Sequence, residues 1–328
     1  MSNRGKFTVV VTDYDYPDLD IERRIITEAG GTLIPAQCRS EEEVIQKAKD
    51  AHGLLTQYAP ISRKVIEALS QCRVIARYGI GVDNIDISAA TQRKIVVVNV
   101  PSYCEEEVAS HTLALILACV RKIFLFNQAI RKGNWDWKLG RPIVRLSEQK
   151  LGLIAFGKIA KMVAKKARAF GFSLMGFDPY ISDEEFAAEG VRKVDLDYLL
   201  KNSDIICVHA PLTQETRHML GREEFKKMKS SSFLVNTSRG AVVDEKALYE
   251  ALREGQIAGA ALDVLEEEPP GKDSPLLKLD NVIFTPHVAW YSESSLKELR
   301  AKAATDLVRV LEGKTPQGFV NRKMINES

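Results

Sequence analysis

LGLIAFGKIAKMVAKKARAFGFSLMGFDPY, residues Leu151 to Tyr180, reads strand, tight turn, helix, strand, acid. A turn that opens a helix points backbone N–H groups and the positive end of the helix dipole at one place, where a pyrophosphate is welcome. The turn is Phe156, Gly157, Lys158 and Ile159. Gly157 carries no side chain where the backbone must approach the phosphate. Asp178, about 20 residues further on at the end of the second strand, is placed to accept both ribose hydroxyls. A carboxylate there repels a 2′-phosphate, so NAD is expected over NADP. Aligned on G-x-G-x-x-G, the turn reads Ala155-Phe156-Gly157-Lys158-Ile159-Ala160, with the middle glycine alone retained. Alanine in the third place suits helix–strand packing. Alanine in the first place predicts a turn with negative φ, because left-handed geometry is costly for it.

Outward from this unit, β and α patterns alternate. Downstream, β-branched and apolar runs begin at Asp204, Ser232, Ala258 and Asn281. Upstream, strand-like runs begin at Phe7, Gly53, Arg73 and Ile95, with helical spacing at Glu41–Ala51 and Arg63–Ser70. The segment Lys158–Phe170 puts Ile159, Met162, Val163, Ala167 and Phe170 on one face. Glu105–Lys122 reads as one long helix, Gly133–Pro142 as a turn-rich arm, and a last helix runs from about Ser295 to Glu312 before an irregular tail. The fold class predicted is α/β, with parallel sheets covered on both faces.

The chain has 328 residues, 45% hydrophobic and 27% charged, which suits two domains. A net charge of +2 gives no reason to expect nucleic acid. Lys226, Lys227 and Lys229 read as a solvated face. Five scattered cysteines form no CxxC pair, so neither a disulfide framework nor a metal is expected. The apolar run at the N-terminus is too short for a signal peptide, and Thr112–Val120 is too short for a bilayer. A cytoplasmic protein with no membrane partner is the expectation.

Three later segments carry the chemistry: VNTSRGAVVDEKAL from Val235, ALDVLEEEPP from Ala261 and FTPHVAWYSESS from Phe284. Each comes after a predicted strand, and in an open parallel sheet ligands bind beyond the strands' carboxyl ends. Arg239, Glu268 and His287 can therefore converge. Taken singly, each has an ordinary reading as a surface pair or a strand-end residue. Together they fit the reduction of a 2-keto acid. Arg239 offers a planar, permanently charged fork for the carboxylate and keto oxygen. His287 titrates near neutrality and serves as proton donor, or as base in the reverse direction. Glu268, if beside His287, stabilises the imidazolium and raises its pKa.

With these residues stand RYGIGVDNIDISAA from Arg77, NVPSYCEEEVASHTLALIL from Asn99, VHAPLTQETRHML from Val208, GAALDVLEEEPP and TPHVAWYSE. From about residue 50 to 320 the chain resembles the D-isomer-specific 2-hydroxyacid dehydrogenases. The HVAWYSE ending is most similar to the branch that contains the C-terminal-binding-protein corepressors and their bacterial relatives. The resemblance implies two Rossmann-like, doubly wound domains that close over the ligand. One is an NAD-binding domain over residues 103–294. The other is a discontinuous, flavodoxin-like substrate domain over 1–102 plus 295–328. It implies Arg239, Glu268 and His287 as the catalytic three. Further cofactor contacts implied are His209, Ala210, Pro211, Thr216, Thr237, Ser238 and Asp263. The loop Arg77-Tyr78-Gly79-Ile80-Gly81 would present N–H groups to the substrate carboxylate, with Tyr58, Arg77, Ile80, Gly81 and Trp290 as substrate-side residues. Members are typically homodimers, and the arm near Trp135 and Trp137 is available for that contact. Ser110 stands where an acid is common.

The wall offered by Trp290 and the absence of an arginine in Thr56–Pro60 rank glyoxylate, hydroxypyruvate or a larger 2-keto acid above 3-phosphoglycerate. The expectation of no further regulatory domain also weighs against 3-phosphoglycerate, and 3-phosphoglycerate dehydrogenase is kept as one alternative. The other alternative is a non-enzymatic, NAD(H)-sensing corepressor-like binding protein.

Overall fold

The structure is a computed structural model that describes residues 7–326. The chain divides into two compact units, one formed by residues up to Tyr103 together with those from Ser292 on, the other by Cys104–Tyr291.

The first unit begins β1 (Thr8–Val11), α1 (Asp20–Glu28), β2 (Thr32–Pro35), α2 (Glu41–Ala48), β3 (Gly53–Thr56), α3 (Arg63–Ala68), β4 (Val74–Arg77), α4 (Ile87–Gln92), β5 (Val96–Val98). Its strands pair in parallel in the order β2-β1-β3-β4-β5. This is the flavodoxin-like winding, whose order reverses between β1 and β3. Strands β3 and β4 bury nearly every residue, as a sheet covered on both faces requires. Strand β2 carries no sequence signal because it lies at the edge and buries only Leu33.

The second unit opens with α5 (Glu105–Val120) and α6 (Ile123–Arg131). The long helix read from sequence stops at Val120, and Lys122, at φ +55°, starts a new axis. Next along the chain come β6 (Lys150–Ile154), α7 (Lys158–Ala169), β7 (Ser173–Phe177), α8 (Asp183–Ala188), β8 (Arg192–Lys193), α9 (Leu196–Asn202), β9 (Ile205–Val208), α10 (Arg222–Lys227), β10 (Phe233–Asn236), α11 (Glu245–Arg253), β11 (Gly259–Leu262) and β12 (Val282–Phe284). All pairings are parallel, in the order β12-β11-β10-β9-β6-β7-β8. Numbered within the unit this is 3-2-1-4-5-6 with one strand added, the dinucleotide-binding order. The two-residue edge strand β8 escaped the sequence reading for the same reason as β2.

Side chains alternate between two cores. Leu151, Leu153, Ile205, Cys207, Val235 and Ala261 pack with α5 and α7. Ile154, Ile206, Val208, Leu234, Ala260 and Leu262 pack on the opposite face with α9, α10 and α11. The buried stripe of α7 is Ala160, Val163, Ala164 and Ala167. It is centred about one position away from the expected face, which leaves Phe170 45% exposed at the helix end. Small residues let α7 lie close to α5. Ser110 on α5 accepts a hydrogen bond from Lys166 of α7 at 3.1 Å.

From Ser292 the chain returns to the first unit as α12 (Glu293–Leu311) and α13 (Arg322–Asn326). The tail is more ordered than its sequence suggests, because Asn321 accepts from Val97 N–H (2.9 Å) and donates to the carbonyl of Ile95 (3.0 Å). Within this unit Arg300 of α12 forms a buried pair with Glu22 of α1, at 2.8 and 2.9 Å, and Tyr78 donates to the same carboxylate at 3.2 Å.

Candidate active site

The strands of the second unit end level. Phe177, Ile154, Val208, Asn236, Leu262 and Phe284 are paired across the sheet in a single row. Just beyond that row, each strand leads to a candidate residue. Asp178 comes directly after β7, the turn Ala155–Ile159 after β6, and His209 after β9. Arg239 lies three residues beyond β10, Asp263 directly beyond β11, and His287 three beyond β12. Neighbouring strands lie about 4.8 Å apart, so β10 and β12 bring Arg239 and His287 to one edge roughly two strand spacings apart.

The turn after β6 departs from the sequence expectation. Ala155 is at φ +65°, left-handed, where negative φ was predicted. The strain is held by two bonds: Ala155 N–H donates to Phe177 C=O at 2.8 Å, and Phe156 N–H donates to Asp178 Oδ2 at 2.9 Å. Asp178 thus fixes the turn as well as facing outward, with Oδ1 accepting from Tyr180 N–H. A Cβ placed on Gly157 would meet nothing within 4 Å, and no side chain caps α7. The N–H groups of Gly157, Lys158 and Ile159 have no acceptor among the described residues. Open space in front of three unsatisfied donors at a helix start fits a pyrophosphate.

His209 adds a second orphan at the point where the strand order reverses. Its Nε2 is sealed from solvent and finds no partner among the described residues. Burial pushes its pKa down to about 4, so the ring is neutral. Thr216, in the loop that begins Ala210-Pro211, accepts from Thr213 N–H and donates to Pro211 C=O. Thr237 is bonded to Thr112 of α5 at 2.8 Å, and Ser238 donates to Asn236.

Glu268 and His287 meet. His287 Nδ1 lies 2.6 Å from Glu268 Oε2, and Glu268 Oε1 accepts from Leu265 N–H at 2.9 Å. Burial raises the Glu268 pKa, but the hydrogen bond and charge of His287, the Leu265 N–H and the Arg239 guanidinium together outweigh it. The carboxyl is held below its usual range. An ionised carboxylate only accepts, so Nδ1 carries the proton and Nε2 is left for other work. His287 is at φ +51° and is held there by its N–H, which donates to Asp263 C=O (2.8 Å) and Thr285 C=O (3.0 Å). Arg239 is near enough to Glu268 for its charge to be felt there. The Arg239 loop is pressed onto the Glu268 loop because Gly240 has no Cβ. One placed there would lie 1.9 Å from the carbonyl carbon of Leu265.

Asp263, expected at the cofactor, is turned inward. It accepts from Thr285 Oγ1 (2.5 Å), Val288 N–H (3.0 Å) and Ala289 N–H (3.0 Å), and so holds the turn that presents His287. With the Thr285 proton committed, His111 Nε2 at 3.0 Å is the donor to that hydroxyl. Sequence reasoning missed the His111–Thr285–Asp263 relay. Its signal was present in the threonine two residues before His287 and in a histidine that directly precedes the mostly apolar half of its helix. Trp290 packs edge-on against Tyr291 with ring centroids 5.6 Å apart.

In the first unit, Tyr58 and Arg77 lie at the ends of β3 and β4. Asp13 accepts from Tyr58 N–H at 2.5 Å, and Tyr58 itself is 54% exposed. Gly79, at φ +144°, lies under the Arg77 guanidinium, where a Cβ would overlap it. The N–H groups of Ile80 and Gly81 have no acceptor among the described residues, while Asn99 donates to Ile80 C=O at 2.6 Å. The predicted lysine face is laced with acids: Lys227 pairs with Asp197, and Lys229 with Asp204.

Residues 113–289 match the family model described as D-isomer specific 2-hydroxyacid dehydrogenase, NAD binding domain. The chain is 43% identical over 315 residues to a D-3-phosphoglycerate dehydrogenase of Methanocaldococcus jannaschii, with 95% of this chain and 59% of that protein covered. The chain thus spans little more than half the length of that relative. It is 40% identical to a glyoxylate reductase of Korarchaeum cryptofilum, with 87% of each covered. Among solved structures it is similar to a D-lactate dehydrogenase from Aquifex aeolicus complexed with NAD and lactic acid. There the TM-score is 0.85, the identity 28%, and 98% of each chain is covered.

Proposed function

Because the chain belongs to the D-isomer specific 2-hydroxyacid dehydrogenase family, we propose that it interconverts a 2-keto acid and a D-2-hydroxy acid with NAD. The observation that carries this reading is the Glu268–His287 pair at 2.6 Å, with the Arg239 charge beside it at the same sheet edge. NADH, when bound, supplies the hydride. Phe156, Gly157, Lys158 and Ile159 would hold its pyrophosphate, Asp178 its adenosine ribose, and His209 Nε2 a polar group near the switch point. Ala210, Pro211, Thr216, Thr237 and Ser238 would line the same pocket. Arg239 grips the carboxylate and keto oxygen of the substrate. The imidazolium of His287, whose charge Glu268 steadies, gives its Nε2 proton to the keto oxygen and is left as the neutral ring with its proton on Nδ1. In the oxidative direction the same nitrogen is the base. In the first unit, the N–H groups of Ile80 and Gly81 would receive a carboxylate, with Tyr58 and Arg77 at the ends of β3 and β4.

The preferred substrates are small unphosphorylated 2-keto acids such as glyoxylate or hydroxypyruvate. Relatives named glyoxylate reductase, 36–40% identical, support that choice. A second reading, 3-phosphoglycerate, is favoured by relatives at 43% and 41% identity. The experiment is NADH oxidation against glyoxylate, hydroxypyruvate, pyruvate and 3-phosphohydroxypyruvate. Highest kcat/KM on the phosphorylated acid would replace the first reading with the second. Silence on all four would sink both.

We further assign a homodimer. Helix α6 buries none of its residues, Phe124 and Leu125 are exposed, and Trp135 and Trp137 are 86% and 64% exposed. A cytoplasmic setting is supported by five free cysteines, of which burial pushes Cys72 and Cys119 up to about 12.

A further inference from the structure

The EEE run after β11 holds two glutamates that face different ways. Glu268 meets His287. Glu266 enters a junction of three segments. Its Oε1 accepts the N–H of Glu245, the first residue of α11, at 3.1 Å, and lies 3.1 Å from His218 Nε2. The N–H of Glu266 donates in turn to Glu245 Oε1, so the two residues exchange bonds between main chain and side chain. Below them, Gly240 packs on Leu265 and Glu266 so closely that a Cβ would lie 2.4 Å from Glu266 N. His218, itself at φ +53°, donates its N–H to Ala241 C=O at 2.8 Å. Leu265, adjacent to Glu266, donates to Glu268.

One continuous set of contacts therefore runs from Arg239 to Glu268 through Glu266. Two acids side by side are not an arrangement that stability favours. The Glu245 carboxyl is held above its usual range by burial first, with the charges of Glu266, Glu268 and Glu267 adding to it against the Glu266 N–H. A local rule broken next to a site points to a role in that site.

We propose that Glu266 is a positioning residue for the reaction: its carboxylate, gripping Glu245 N–H and His218, fixes the loop that carries Arg239 against the loop that carries Glu268. It touches neither substrate nor cofactor. It acts by holding the substrate grip and the acid/base pair in mutual alignment, where a misplacement of about 1 Å lowers turnover steeply. The inference rests on the assignment of Arg239, Glu268 and His287 above.

The test measures kcat, KM, NADH affinity and melting temperature for Glu266→Ala, Glu266→Gln and His287→Ala, with whichever 2-keto acid the wild type reduces best. Glu266→Ala is expected to lower kcat by about tenfold or more, with NADH affinity unchanged, since the phosphate turn is untouched. Glu266→Gln keeps an oxygen for Glu245 N–H and is expected to recover most of that loss. Should Glu266→Ala not fold, His218→Ala takes its place with the same expected separation of kcat from NADH affinity. A kcat within about twofold of wild type would overturn the proposal. So would loss of NADH affinity and melting temperature in step with kcat, or a glutamine variant as impaired as the alanine. His287→Ala separates the two claims: if it stays active, the catalytic assignment fails, and if it alone is inactive, only the role of Glu266 fails.

Discussion

At the scale of single residues, strain and burial decide the most. Ala155 at φ +65° stands where glycine would be relaxed. Left-handed alanine costs about 1–2 kcal/mol, against roughly 0.5–1 kcal/mol for the extra unfolded freedom of glycine. Ala155→Gly is therefore expected to stabilise the protein by about 0.5–1 kcal/mol, read as a higher denaturant midpoint at constant m-value. A lower midpoint would mean that the Cβ packs usefully. His209 gives a pH signature. Its pKa falls from 6.5 to about 4 on folding, so between those values the unfolded chain binds the extra proton. Its contribution is intact above pH 6.5 and is lost as pH falls toward 4. His209→Gln should flatten the decline in melting temperature across that window, and an unchanged slope would contradict the burial argument. The position of Asp178 was legible because an acid twenty residues past a glycine turn has a specific use. The left-handed turn at Ala155 was not, since the bonds that hold it there come from Phe177 and Asp178 on the next strand.

At the scale of elements, parallel strands ending in one row place residues far apart in sequence at one edge. That much is dictated by βα alternation. Arg239, Glu268 and His287 were legible because each sits a few residues past an apolar run and carries chemistry that an ordinary loop does not need. The contacts between their loops were not legible. Gly240 reads only as a turn residue, yet its missing Cβ is what lets the Arg239 loop lie on Leu265. Gly240→Ala is expected to cost on the order of 3 kcal/mol and to remove activity, because the atom overlapped is rigid main chain. Calorimetry beside an activity assay checks both, and full activity would show that the two loops are free to separate. The edge strands β2 and β8 were missed because an edge strand buries few side chains and leaves little hydrophobic pattern to read.

At the scale of the whole molecule, the chain holds two differently wound parallel sheets, and the order within each sheet explains where ligand chemistry gathers. Both orders reverse once. In the second unit the phosphate turn and His209 lie past the two strands that flank the reversal, and Arg239, Asp263 and His287 lie past β10, β11 and β12, successive strands on one side of it. The apolar surface of α6 and the arm after it belongs to this scale too. Phe124→Asp with Leu125→Asp is expected to convert a dimer to a monomer in sedimentation, and a wild type that already sediments as a monomer would refute the dimer. In the proposed reaction, proton transfer at His287 is coupled to hydride transfer from NADH. The most direct measurement is kcat for 2-keto acid reduction by wild type and His287→Ala, with NADH affinity determined on the same samples. We predict a loss of about a hundredfold or more in kcat with NADH affinity retained; a His287→Ala enzyme that turns over at the wild-type rate would contradict the central claim.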